Sequence, residues 1–220
     1  MKNNFAILFI VLSTIVIGTP NSEDNGFKKD VRTFISLLDY IGTDYHNAVS
    51  DGKVVNSNEY LEMSEFINRA IDLFNKVNYK IDPIEGIDIS RELEKLRSLI
   101  ENKSDKNEVF NIAEKIKSAI LKLDLIETVP TNWPDIQNGG ILFHVNCSSC
   151  HGANGNGKGI LTKTLNPKPA NFLNDTLMEK ISPFKIYNTV KLGISGTSMA
   201  PFTQLSDKET WDLAFYVSSL

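Results

Sequence analysis

Residues 143–159 read FHVNCSSCHGANGNGKG and contain both cysteines of the 220-residue chain. Two residues separate Cys147 from Cys150, and His151 follows directly. That C-x-x-C-H order is the pattern of covalent c-type haem attachment. The spacing lets one helical turn present both sulfurs to one edge of a flat macrocycle, while the next residue offers its imidazole to the metal. A disulfide at this spacing closes too small a loop to restrain the unfolded chain much, and a thioredoxin-type pair expects a βαβ frame that is missing around it. Zinc needs four convergent ligands, and the other histidines are only His46 and His144. The reading is one haem c, joined through Cys147 and Cys150, with His151 on its iron.

Haem iron takes six ligands, so one position stays open. A methionine sulfur there raises the reduction potential and gives an electron-transfer site instead of one that activates oxygen. Beyond the motif stand Met178 and Met199. Met178 lies in TLMEK (176–180), a helical stretch in which a core role is the default. Met199 lies in GISGTSMAPF (193–202), an irregular run that can lay a side chain against a ligand face, and it is taken as the second axial ligand.

The chain opens with Lys2, an apolar run from Phe5 to Ile17, and then Gly18, Thr19 and Pro20. Residues 1–20 read as a secretory signal, with an uncleaved anchor as the alternative, since a spanning helix needs about 20 apolar residues. Export fits the haem motif, because thioether attachment takes place outside the cytoplasm. The expected location is therefore periplasmic or otherwise extracytoplasmic, with membrane association through this segment or through a partner. Residues 21–128 carry 15 Lys+Arg against 21 Asp+Glu, and residues 129–220 carry 7 against 6. No basic stripe is left for a phosphate backbone, which argues against nucleic acid.

From Val31 to Leu123 the apolar residues follow helical periods, with no convincing β alternation. The first stripe is Val31, Phe34, Ile35, Leu38 and Ile41, with Gly42 ending the helix. The second starts at Asn56, which caps it while Glu59 reaches back, and carries Tyr60, Met63, Ile67, Ala70 and Phe74. Pro83 and Gly86 interrupt the pattern before a third stripe of Ile89, Leu93, Leu96 and Ile100. The fourth has Asp105 and Glu108 as its cap and Val109, Ile112, Ile116, Ala119 and Leu123 as its face. Four amphipathic helices with short connections imply an up-down bundle over residues 24–126. A linker follows at 127–133, where ETVPTNWPD (127–135) changes the character of the chain. Residues 134–220 form the second domain, with a helix opened by Ser182 and Pro183 and a last helix capped by Ser206 and Glu209.

This second domain resembles a class I cytochrome c. Gly139 and Phe143 stand eight and four residues before Cys147, and Leu213 and Tyr216 answer them from the last helix. Those are the positions where that family's first and last helices cross. The resemblance implies that a proline carbonyl, from Pro167 or Pro169, holds the Nδ1 proton of His151. It also implies that Pro167 and Phe172 pack on the haem.

More of the chain is similar to the exported cytochrome region associated with bacterial high-affinity iron permeases. The phrases that carry this are LLDYIGTDYHNAVSDGKVVNSNEYLEMSEF (37–66), CHGANGNGKG (150–159), PKPANF (167–172), GTSMAPF (196–202) and WDLAFYV (211–217). The permease's Arg-Glu-x-x-Glu iron motif is missing, since RELEK at Arg91 has Lys95 where the second glutamate belongs. The overall expectation is an all-α protein, a four-helix bundle-like domain followed by a class I cytochrome c domain. Its expected role is to carry single electrons to a redox partner such as a membrane iron permease, with no catalytic residues of its own. Two alternatives stand beside it. One is an iron-oxidising subunit that holds ferrous iron on Asp39, Asp44, His46, Glu59, Glu62 and Glu65, although the Glu-x-x-His motif of di-iron bundles is missing. The other makes the bundle a docking module for a permease.

Overall fold

The computed structural model describes residues 22–194 and 196–220, so the expected signal at 1–20 lies outside the described residues. Four long helices come first: α1 (Ser22–Ala48), α2 (Ser57–Val77), α3 (Pro83–Glu101) and α4 (Lys106–Lys122). Each packs on its neighbours in sequence, and α1 closes the square against α4. The stripes expected from sequence line the interior, where Phe34, Ile41, Ile67, Leu96 and Ile116 are buried in one continuous core. Most of a helix's stability in a protein comes from packing its apolar face, so this shared interior is what stabilises them.

Four local details differ from the sequence reading. Helix α1 does not stop at Gly42, because Tyr45 and Ala48 extend its apolar stripe and are fully buried. Tyr45 also donates its hydroxyl to the Ser104 carbonyl at 3.1 Å. Pro83 does not interrupt α3 but opens it: it occupies the first turn, where its missing N–H costs nothing, and Asp82 caps the Ile84 N–H at 2.9 Å. Gly86 then lies inside the helix. The Asn56 cap takes the N–H groups of Asn58 and Glu59, and the Asp105 cap takes that of Asn107, without the reciprocal glutamate bond. Finally, a two-residue hairpin pairs Val49–Ser50 with Lys53–Val54, turning on Asp51 (φ 50°) and Gly52 (φ 71°). Two positive φ values in an Asp-Gly pair make the tight turn that matches strand twist.

The second domain holds α5 (Ile136–Asn146), α6 (Ser148–His151), α7 (Asp175–Met178), α8 (Pro183–Leu192) and α9 (Asp207–Ser218). Here α5 crosses α9, and α8 packs beside α9. Asp135 caps α5, Ser182 caps α8 with Pro183 in its first turn, and Ser206 with Glu209 makes a reciprocal box at α9. A second core gathers Phe143, Cys147, Tyr187, Trp211 and Leu213, with Met178 half-buried against it as expected. Phe184 of α8 packs against both cores. Among the described residues no helix is long and apolar enough to cross a membrane.

Candidate haem-binding site

The site starts at the crossing of α5 and α9. Gly139 of α5 lies so close to α9 that a side-chain carbon there would strike the Asp212 carbonyl and come within 2.7 Å of the Tyr216 Cβ. Phe143, one turn on, is fully buried, with its ring 5.5 Å from Tyr216 and 6.3 Å from Phe172. Asp212 is 1% exposed and ties the two helices together. It accepts the Asp135 N–H at 2.8 Å, the Asn138 amide at 2.8 Å and the Lys208 ammonium at 2.8 Å. Burial, the largest single influence, pushes its carboxyl up, and these three donors together outweigh it, leaving it below the usual carboxylate range.

The next turn brings Cys147, Cys150 and His151 together on α6 and its cap. Cys147 is buried and Cys150 half-buried. Burial pushes the Cys147 thiol up to about 12. The following loop folds back onto the motif. The N–H groups of Leu161, Gly159 and Gly157 bond the carbonyls of Ser149, Cys150 and His151 at 3.0, 3.1 and 2.7 Å.

His151 is held from two sides. Its ring stacks on Phe172 at 4.7 Å and 17°. Its Nδ1 lies 3.1 Å from the Ala170 carbonyl. A carbonyl can only accept, so Nδ1 carries the proton and Nε2 keeps its lone pair. Burial lowers the imidazole's affinity for a second proton, more than the Ala170 bond restores it. The sequence reading gave this bond to Pro167 or Pro169; the structure gives it to Ala170. Pro167 is exposed, whereas Pro169 is half-buried and its carbonyl faces Gly157. Phe172 is brought to the site and Pro167 is not bonded to the imidazole.

Met199 is half-buried in the loop after α8. Gly193 ends that helix at φ 68°, and a side chain there would meet the Met199 carbonyl at 2.6 Å. The Ile194 N–H bonds that carbonyl at 2.8 Å, and the Met199 N–H bonds Thr197 Oγ1 at 3.1 Å. The donor set fits a c-type haem: two thiols one helical turn apart, an imidazole fixed in the metal-binding tautomer, and a thioether on a braced loop.

Residues 136–220 match the cytochrome c family, and residues 20–124 match the family described as the iron permease-associated 4-helix bundle domain. The back half is a cytochrome c domain. The front half is a bundle of the iron permease-associated type, so the expected all-α order of the two domains holds. The cytochrome c match supports haem as the group carried by the back half. No curated protein matches the sequence. Among solved structures, a chain of the Kuenenia stuttgartiensis reducing HAO-like protein complex is similar, with 25% identity over 54% of this chain and 60% of that one at a TM-score of 0.35.

The acidic residues of the bundle do not converge. Among the described residues no three His, Cys, Asp or Glu side chains group as metal ligands. Asp39 is paired with Lys117 at 2.7 Å, and Glu62, Glu65 and His46 are exposed. Asp44 is half-buried, and burial pushes its carboxyl up while Lys185 and His46 draw it down.

The sequence reading missed Asp212, Ala170 and the bundle residues facing α8. A buried aspartate carries no signal until its three donors are known, and a backbone acceptor leaves none at all.

Proposed function

We propose that the chain is an extracytoplasmic electron carrier with one haem c, serving iron oxidation or uptake beside a membrane iron permease. Cys147 and Cys150 would hold the haem through thioethers, and His151 Nε2 and Met199 Sδ would be the axial ligands. The observation that carries this reading is the Nδ1 contact of His151 with Ala170, which leaves Nε2 as a committed donor. When bound, the haem supplies a reversible one-electron change at its iron. The residues of the chain do the rest: Ala170 fixes the imidazole tautomer, Phe172 fixes its ring plane, and the Gly193 corner holds the methionine loop. With His151 and Met199 both holding the iron, no substrate would need to reach the metal. The permease link rests on the bundle's family, which fits a docking module better than an iron site, since the acidic groups stand apart.

The test is maturation in an export-competent cell with a haem-attachment system. A pyridine haemochrome spectrum is expected to give one haem per chain with two saturated vinyl groups. Cys147→Ser and Cys150→Ser are each expected to leave one vinyl free. Colourless protein with two titratable thiols would sink the reading. Met199→Ala is expected to lower the potential by at least about 0.1 V, within the roughly 0.8 V span that axial ligands govern.

A further inference from the structure

We propose that Arg32, in the first helix of the bundle, is a positioning residue for the Met199 loop of the cytochrome domain. This rests on the assignment of Met199 to the iron made above. It adds that the bundle sets how firmly that ligand is held.

Helix α8 is the lever. On one side its Phe184 reaches the bundle core, and its Tyr187 ring lies under the Arg32 guanidinium at 5.4 Å. Arg32 is clamped from behind: its Nη2 bonds Glu127 at 3.3 Å, and Lys28 holds the other oxygen of that carboxylate at 2.7 Å. Its Nε is buried without a hydrogen-bond partner. A guanidinium free to choose would turn that donor to water, so its position is imposed by the surroundings. Arg32 is thereby fixed over an aromatic face, as a partly desolvated cation is held by a ring quadrupole.

On the other side, Tyr187 stacks on Trp211 at 4.4 Å and donates its hydroxyl to Asp207 at 2.8 Å. Asp207 also pairs with Lys191 at 2.9 Å, and Lys191 donates to the Leu205 carbonyl at 2.7 Å. Lys191 is in the last turn of α8, next to the corner that touches the methionine. There the Phe202 N–H bonds the Val190 carbonyl at 2.9 Å, and the Ile194 N–H bonds the Met199 carbonyl at 2.8 Å. The backbone of Met199 is therefore tied to the residue just past the end of the helix that carries Tyr187, and Val190, one turn after Tyr187, holds the far side of the loop. If Arg32 lets go, α8 loses its outer brace, and the loop opens more often.

An opened loop exposes the iron to an added ligand, so the apparent affinity for that ligand rises with the open fraction. The experiment titrates imidazole into the full-length ferric holoprotein and measures the reduction potential alongside. Arg32→Gln is expected to bind imidazole about tenfold more tightly than the parent, with a lower potential. Arg32→Lys is expected to fall between, since an ammonium keeps the charge but loses the planar fork. Glu127→Gln changes a largely solvent-facing partner and should fold as the parent does; it is expected to shift both readouts in the same direction. A merely structural role would lower the melting temperature while leaving affinity and potential at parental values well below it. Parental values in both Arg32→Gln and Glu127→Gln would overturn the proposal. Met199→Ala separates the two layers: if it changes neither readout, the axial assignment has failed, whereas a large change with silent Arg32 variants defeats only the brace.

Discussion

Gly139 and the carbonyl of Asp212 are in backbone contact, so the crossing of α5 and α9 leaves no space for even a methyl group. The same carbon would press on the Tyr216 Cβ at 2.7 Å, and neither obstacle is the loose end of a flexible side chain. Gly139→Ala must therefore part the helices that support Phe143 and the cysteine turn. We expect a loss of about 3 kcal/mol, at the upper end for overpacking, read as a lower urea midpoint of the holoprotein. An unchanged midpoint would show that the helices are not in contact here.

Gly42 provides the opposite sign. It lies inside α1, and an added carbon would meet the Ala113 Cβ and the Phe110 ring at 3.5 Å, ordinary contact distances. Nothing there opposes the conformational gain of replacing a helical glycine. Gly42→Ala is expected to stabilise the bundle by about 0.5–1 kcal/mol, checked by the unfolding midpoint. A lower midpoint would mean that α1 and α4 approach more closely than these distances.

These two glycines mark how much could be read in advance. Period alone located the four stripes, since Phe34, Ile67, Leu96 and Ile116 could only point inward from amphipathic helices. Ends were harder: Gly42 looks like a stop until Tyr45 and Ala48 are found buried beyond it. At the site, the thiols and His151 were legible because their spacing is itself the chemistry. The Ala170 carbonyl was not, since any residue supplies one and only the path of the loop selects it. The Arg32 clamp was hidden for a similar reason, because it joins residues 155 positions apart across two domains.

Asp212 gives the α5–α9 junction a pH dependence. Its carboxyl, held below the usual range in the folded chain, is ionised at neutral pH and accepts three donors. A depressed folded value stabilises the fold above the unfolded value of about 3.9, and that stabilisation is lost as pH falls through the folded value. Asp212→Asn is expected to cost about 2 kcal/mol at neutral pH and to flatten the acid side of the stability profile. Urea midpoints at about pH 7 and pH 3 check it: the gap between parent and variant should narrow in acid. A gap of constant size would assign the loss to shape and not to charge.

The bundle's carboxylates decide between a docking role and an iron-oxidising one. Ferrous iron needs several oxygen ligands converging on one point, yet Glu62 and Glu65 are exposed and Asp39 is already paired with Lys117. Lys117 is itself held charged: burial, the largest influence on it, opposes the charge, and its bonds to Asp39 and Glu114 together outweigh that. An iron ion at Asp39 would have to displace this ammonium. We therefore expect Glu62→Ala and Glu65→Ala to leave the rate at which ferrous iron reduces the haem within about twofold of the parent, less than 0.5 kcal/mol in barrier height. Stopped-flow measurement of haem reduction at excess ferrous iron checks this. A tenfold slower rate in either variant, with an unchanged reduction potential, would restore a metal site on the bundle and make it more than a docking surface.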